Sequence, residues 1–341
     1  MPVEVTAFQT ALLGWYDAHA RTLPWRSPPG TPSADPYRIW LSEVMLQQTT
    51  VAAVIPYFEA FTTRWPTVAA LAAAEDGDVM QAWAGLGYYA RARNLLACAR
   101  AVTALGGFPT TEANLRTLPG IGAYTAAAVA SIAFGEAAVV VDGNIERVMS
   151  RLFAVSTPIP AARPELRAHA AALTPTHQPG DHAQALMDLG ATVCTPRSPR
   201  CDACPVARWC DARASGDPAR FPVRAPKRIR PVRFGTAFRL EARGHVLLVR
   251  RPPRGLLGGM LALPTSAWTP APVDWRTEAP VPADWTLRPT VVRHVFSHFE
   301  LRLSVVAASL AARTHLPGEW WPADRLDEAG LPTLFAKASR A

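Results

Sequence analysis

The sequence predicts a multi-domain chain, an all-α unit followed by a smaller α+β unit, and three observations carry that expectation. From Ala7 to about Asp211, Ala-rich amphipathic stretches alternate with Pro and Gly punctuation at Pro66, Gly106–Gly107 and Pro119–Gly120, a helical pattern throughout. Between Ala212 and Gly235 the chain turns to Pro218, Pro222, Pro226 and Pro231 interleaved with Arg213, Arg220, Arg224, Lys227, Arg228, Arg230 and Arg233, the composition of a semi-rigid basic linker. Beyond it the apolar period falls toward two, so that Ala237–Leu240, His245–Arg250 and Val291–Val306 read as strands, joined through Gly255–Gly259 and the Pro-rich stretch Pro264–Pro289. The expected boundaries are therefore 1–211, a linker over 212–235, and 236–341.

Length agrees, because 341 residues exceed one ordinary hydrophobic core. No apolar run reaches the roughly 20 residues a membrane helix needs, and the first ten residues carry Glu4 with no basic segment, so a cytoplasmic protein is expected. The net charge of +8 and pI near 9.7 suit a polyanionic partner, although charge alone is weak evidence. Nearly all of that charge is arginine: lysine occurs only at Lys227 and Lys337, leaving Met1 to Pro226 without one.

Four of the five cysteines, Cys194, Cys201, Cys204 and Cys210, form a C-x6-C-x2-C-x5-C run. Four thiolates in a compact loop can enclose a [4Fe–4S] cube, each iron taking one sulfur. Zinc is the alternative, though its ribbons usually pair two C-x2-C hooks and one is present here. Cys98, standing alone, reads as a small buried hydrophobe.

Three further motifs carry chemistry. Leu118-Pro119-Gly120-Ile121-Gly122-Ala123-Tyr124 lies between a short helical segment from Thr111 and an Ala-rich helix, Thr125 to Phe134. Such a glycine hairpin leaves N–H groups free at the second helix's start and lets a phosphate approach, or it is an ordinary helix–helix turn. In Asp35-Pro36-Tyr37-Arg38-Ile39-Trp40-Leu41-Ser42-Glu43-Val44-Met45-Leu46-Gln47-Gln48-Thr49, a helix sets Glu43 on a face with Ile39, Trp40 and Leu46. Desolvation there raises a carboxyl's pKa, as a proton donor requires, while the plain alternative is a surface Glu beside an apolar stripe. In Val139-Val140-Val141-Asp142-Gly143-Asn144, Asp142 either caps the helix beginning near Asn144 or faces a substrate.

The hairpin, the Val-Asp-Gly-Asn run 18 residues beyond Tyr124 and the cysteine cluster together resemble the endonuclease III superfamily of helix-hairpin-helix DNA glycosylases, over roughly residues 10 to 215. Within it, Leu23-Pro24-Trp25-Arg26, Trp40 to Thr49 and Gly85-Leu86-Gly87-Tyr88-Tyr89 are similar to the MutY branch, the adenine glycosylases. Gly255-Leu256-Leu257-Gly258-Gly259 and His294-Val295-Phe296-Ser297-His298-Phe299 resemble that branch's lesion-sensing, Nudix-like domain; with no Nudix box of paired glutamates, nucleotide hydrolysis is not expected.

The resemblance implies a monomeric, nucleoid-associated hydrolase that flips adenine from A:8-oxoguanine or A:G mispairs in double-stranded DNA and cuts its glycosidic bond. It makes Glu43 the acid protonating adenine N7 and Asp142 the carboxylate facing the oxocarbenium ion, with Tyr124 and Asn144 orienting them. Trp25, Arg26, Leu46 and Gln184 would line the base pocket. Gln48, Thr49, Leu86, Tyr88, Gly120 and Gly122 would meet DNA, with Gln48 and Tyr88 filling or wedging the vacated stack. Phe296, Ser297 and His298 would read the lesion, and the four cysteines would hold the [4Fe–4S] cluster. Tyr124 stands where the superfamily's bifunctional members carry a Schiff-base lysine, so a lyase step is not expected. The stretch Ser27-Pro28-Pro29-Gly30-Thr31-Pro32-Ser33-Ala34 is longer and more Pro-rich than the family pattern.

Overall fold

The structure, a computed structural model, describes residues 3–226, 230–252, 255–296 and 298–341. The chain divides into two units, Met1–Pro226 and Lys227–Ala341, each with its own core. The first is helical: α1 (Val5–His19), α2 (Pro36–Leu46), α3 (Val51–Arg64), α4 (Val68–Ala72), α5 (Asp76–Ala82), α6 (Ala90–Ala104), α7 (Glu112–Leu115), α8 (Ala123–Phe134), α9 (Gly143–Leu152), α10 (Arg163–Leu173), α11 (Pro179–Asp188) and α12 (Asp211–Ala214). Local chemistry sets several of these starts. Asp35 accepts from the Tyr37 N–H ahead of Pro36 at the first position of α2, and Thr111 caps α7 through the Asn114 N–H.

Apolar faces of these helices converge on fully buried Phe8, Tyr16, Trp40, Phe58, Phe61 and Trp83. Cys98 belongs to this core, and burial pushes its thiol up to about 12, so it stays an inert thiol. Two glycines let backbones meet. A Cβ on Gly180 in α11 would lie 2.7 Å from the Ser131 carbonyl oxygen of α8, and one on Gly190 would lie 2.6 Å from the Asn144 Cβ of α9. Gly190 sits in a π turn, Leu189–Val193, that carries α11 into the cysteine loop.

The linker expected over 212–235 is shorter than its composition suggests. Arg151 donates from Nε to the Phe221 carbonyl at 3.0 Å and Arg224 bridges to Ile159, so the chain stays on the helical unit through residue 224. The next strand already begins at Val232. Proline and arginine mark exposed, irregular backbone, and such backbone can still pack along a surface.

The second unit is a mixed sheet of β1 (Val232–Ala242), β2 (His245–Arg250), β3 (Leu261–Ala262), β4 (Thr286–Leu287), β5 (Val292–Val295), β6 (Glu300–Leu310) and β7 (Glu319–Pro322), followed by α13 (Thr333–Ala338). The strand order is β3-β2-β1-β6-β4, with β5 also on β6 and β7 on β2. The parallel β1–β6 pair runs from Val232 opposite Glu300 to Ala242 opposite Leu310. Leu334, Phe335 and Ala338 of α13 close the core against Leu301, Leu303 and Val305. Among the described residues no helix is long and apolar enough to cross a membrane.

The contact at Gly180 is testable. Gly180→Ala should cost about 1–3 kcal/mol by forcing α8 and α11 apart, read as a lower urea midpoint; an unchanged midpoint would contradict the approach described.

Candidate active site

Glu43 lies in the last half of α2 and is 7 % exposed. Tyr124, in the first turn of α8, donates its hydroxyl to Glu43 Oε2 at 2.7 Å. Burial pushes the Glu43 carboxyl up to about 7, against the lowering effects of the Tyr124 hydrogen bond and the Arg26 charge, with the Asp142 charge adding to the rise. Tyr124 is itself raised well above the usual phenol value, mainly by burial and then by Glu43 and Asp142, so it remains a donor.

Asp142 takes the capping role among its sequence readings and also lines the cleft that holds Glu43. It caps α9, Oδ1 accepting from the Ile145 N–H at 2.7 Å, while Oδ2 accepts from Asn144 Nδ2 at 3.0 Å. Burial raises its pKa, and these hydrogen bonds together with Arg147 oppose that rise. The anion sits at the positive end of α9. Asn144 is held in turn: its Oδ1 accepts from Arg147 Nη2 at 2.8 Å, and Arg147 also donates to the carbonyls of Gly190 and Cys194, each at 2.7 Å.

One cleft of about 950 Å³ gathers Glu43, Tyr124, Asp142 and Asn144, with Trp25, Arg26, Leu46 and Gln184 in its walls and Gln48, Thr49, Gly120 and Gly122 around it. Gly120 has φ +72°, and a Cβ there would lie 2.6 Å from Asn94 Cβ; a Cβ on Gly122 would meet nothing within 4 Å. Gly120 therefore makes the turn, and Gly122 leaves the start of α8 approachable. Arg26 is fixed by a 2.7 Å ion pair to Asp188, which also takes Arg21 Nε at 2.6 Å.

Leu86 and Tyr88 do not line this cleft. Leu86 is 6 % exposed, so its side chain belongs to the core and only its backbone remains for the DNA contact expected of it. Tyr88 is 64 % exposed, and both it (φ +50°) and Gln48 (φ +59°) adopt the left-handed conformation that ordinary residues avoid. Sequence reasoning missed the group that holds their two loops. Arg91 donates from Nη1 to the carbonyls of Val44 and Met45 at 3.0 Å each and from Nη2 to Leu86 at 2.9 Å. Its guanidinium lies 5.3 Å from the Trp83 ring centre and 5.6 Å from that of Tyr88. Asp188, Arg147 and Arg151 were missed for the same reason: nothing in the sequence distinguishes a clamping arginine from many others, although Asp188 follows Gln184 by one helical turn.

Cys194, Cys201, Cys204 and Cys210 ring one small recess beside Arg151. Arg151, 2 % exposed, donates to Cys194 Sγ at 3.3 Å and to the Thr195 carbonyl at 2.7 Å. Four cysteines around one recess can supply one sulfur to each of the four irons of a [4Fe–4S] cube. Burial pushes the free Cys204 thiol up to about 12 and raises Cys210, so thiolates here need a positive core between them.

Within the second unit, Phe296 is half-buried, its ring centre 4.6 Å from His294 and 5.0 Å from Phe299, whereas His298 is exposed. Ser297 lies outside the described residues.

Comparison with known proteins adds three matching family models: HhH-GPD superfamily base excision DNA repair protein over residues 41–172, NUDIX domain over 236–341, and iron-sulfur binding domain of endonuclease III over 194–210. Curated relatives include the adenine DNA glycosylase of Homo sapiens, 36 % identical and covering 99 % of this chain and 74 % of that one. Another is the adenine DNA glycosylase of Mycolicibacterium smegmatis, 45 % identical over 61 % of this chain and 70 % of that one. Among solved structures, a thermostable thymine-DNA glycosylase superposes with TM-score 0.55 at 30 % identity, covering 62 % of this chain and 96 % of that one. A non-covalent endonuclease III–DNA complex, at TM-score 0.52, 22 % identity and coverage of 63 % and 99 %, supports the fold alone.

Two outcomes follow from the geometry. Because the folded Glu43 value, about 7, lies above the ordinary 4.5, its contribution to stability is fully present below about 4.5 and is lost as pH rises through about 7. Glu43→Gln should therefore melt higher than wild type at about pH 8, by up to about 3 kcal/mol, with the gap closing below about pH 4.5; thermal melts across that range decide it, and a pH-independent gap would refute the burial argument. Arg91→Lys cannot span the same carbonyls and should cost about 1–3 kcal/mol, with faster amide exchange confined to residues 47–49 and 86–88; uniform loss of protection over the helical unit would contradict the clamp.

Proposed function

Since this chain belongs to the adenine DNA glycosylase (MutY) family, a family of DNA N-glycosylases acting in base excision repair, we propose that it excises adenine opposite 8-oxoguanine or guanine and leaves an abasic site without strand cleavage. The observation that carries this reading is a carboxyl poised near neutrality, Glu43, in one cleft with a carboxylate on a helix N-terminus, Asp142. Adenine leaves as an anion unless N7 is protonated first, and Glu43 is half-protonated near pH 7, where general acid catalysis is most effective. As the glycosidic bond breaks, positive charge develops at C1′ and the ring oxygen; Asp142, already dipole-stabilised and held by Asn144, faces that charge. Tyr124 keeps Glu43 pointed at the base. Trp25, Arg26, Leu46 and Gln184 form the walls a flipped purine would enter, while the hairpin at Gly120–Gly122 offers backbone N–H groups to the DNA phosphates.

A [4Fe–4S] cluster is part of this protein's make-up, and we assign Cys194, Cys201, Cys204 and Cys210 as its ligands; when bound it supplies four iron–thiolate bonds that fix the loop. Phe296, Ser297 and His298 are assigned to the strand opposite, where a lesion is distinguished from guanine. The dividing of product is set by composition: with no lysine before Lys227, the catalytic unit has no side-chain amine to attack C1′. We take the acting form as a monomer, since the whole cleft comes from one chain.

Single-turnover excision from duplexes with A opposite 8-oxoguanine or guanine, with product ends resolved, tests the reading. Wild type should cut A:8-oxoguanine faster, lose rate above about pH 7 as Glu43 ionises, and form no borohydride-trapped adduct. Glu43→Gln should lose about 10²–10⁴-fold in rate or more while binding DNA normally. Equal rates on both mispairs would overturn the lesion preference, and strong trapping the monofunctional assignment.

A further inference from the structure

The Ser27–Ala34 stretch, unexplained by the chemistry above, walls a second chamber of about 430 Å³ behind the catalytic cleft. The two spaces share Trp25, Arg26, Ile132 and Gln184. Glu43, Tyr124 and Asp142 line only the first; the second is closed by residues 27–34, the end of α8 and the approach to α11. Its floor is buried at Trp25, Ser131 and Gln184, whereas its rim at Thr31, Ser33, Thr176, His177 and Gln178 is exposed. The chamber thus runs from the wall of the base pocket out to solvent.

Its walls are fixed. The ion pair to fully buried Asp188 holds Arg26 to one side, the Gly30 N–H donates to Asp181 Oδ2 at 3.3 Å, and the Thr31 hydroxyl closes a turn on the Pro28 carbonyl at 2.6 Å. The lining suits a neutral, flat, hydrogen-bonding molecule. Trp25, Pro28 and Pro179 offer apolar surface; Gln184, Gln178, His177 and Thr176 offer polar groups, and the Ser131 hydroxyl is buried without a partner. Arg26 is already engaged by Asp188 and Asp181 adds a carboxylate to the lining, which disfavours a phosphate. The volume exceeds the roughly 300 Å³ at which small-ligand pockets begin.

We propose that this chamber is the departure route of the excised base: free adenine passes Gln184 into it and leaves past Ser33 and Thr176 while the abasic strand still covers the catalytic cleft. The proposal rests on the reading of that cleft as an adenine glycosylase site. Nucleoside entry and base exit then use different openings, and the tightly held DNA product does not trap the small one.

Full-length, cluster-loaded protein and a duplex carrying radiolabelled adenine opposite 8-oxoguanine provide the test. After single-turnover excision, rapid filtration separates free adenine from protein-bound DNA. Wild type should release adenine well before the DNA, whereas Ser33→Trp and Thr176→Trp, each at an exposed position of the lining, should excise at the wild-type rate yet release adenine about tenfold slower or only as the DNA dissociates. Ser33→Ala should behave as wild type. Adenine leaving wild type together with the DNA, or leaving both Trp variants as fast as wild type, would overturn the route. Wild-type protein that excises no adenine would overturn the glycosylase reading, and the route with it.

Discussion

Two carboxyl groups in one buried cleft must differ in charge, and most of the helical unit's arrangement follows from keeping them different. Water does not supply the difference; burial raises both. The separation comes from what each is given. Glu43 receives one hydroxyl donor and an apolar bed on α2, and keeps its proton up to about pH 7. Asp142 receives a backbone N–H, an amide N–H and the start of a helix. On the proposed mechanism that asymmetry assigns acid and counter-charge before substrate arrives, so no reorganisation is needed as charge develops.

Helix α9 turns this local arrangement into a longer one. Asp142 stands at its N-terminus, Arg147 one turn past Asn144, and Arg151 a further turn on, against the cysteine loop. Arg147 bonds the Asn144 side chain and the Cys194 carbonyl at once, so the position of a proposed cluster ligand's backbone and the orientation of Asn144 are not independent. The close fit of Gly190 on Asn144 removes any slack between them. A cluster held by that loop would in this way brace Asn144, with no electron transfer invoked.

The sequence made the class of each unit legible because periodicity reports burial, and it exposed the site because rare residue types stood at telling spacings. A cysteine run, a glycine hairpin and acids at Glu43 and Asp142 are visible without coordinates. What stayed hidden was carried by common residues. Arg91 and Arg147 do their work through backbone carbonyls supplied by distant segments, and no one-dimensional pattern reports which carbonyls lie open. Leu86 sat in a motif that looked like surface and proved to be core, since a motif gives identity without facing. The linker failed similarly: proline and arginine mark the absence of regular structure, and irregular backbone still packs when Arg151 offers it a donor.

The nearly exclusive use of arginine bears on the chemistry as well as on binding. Excision leaves an aldehyde-bearing abasic sugar against a protein that must be cationic to hold DNA, and every neutralising lysine is also an amine able to condense with that aldehyde. Guanidinium keeps its proton at any physiological pH and offers planar pairs of donors to phosphate, so it binds without becoming a nucleophile. From Met1 to Pro226 this chain takes that option throughout. Positive charge and nucleophilicity are thereby separated across the whole catalytic unit, a broader constraint than Tyr124 at one position, and on the proposed reading the bond-breaking step then ends at the free base.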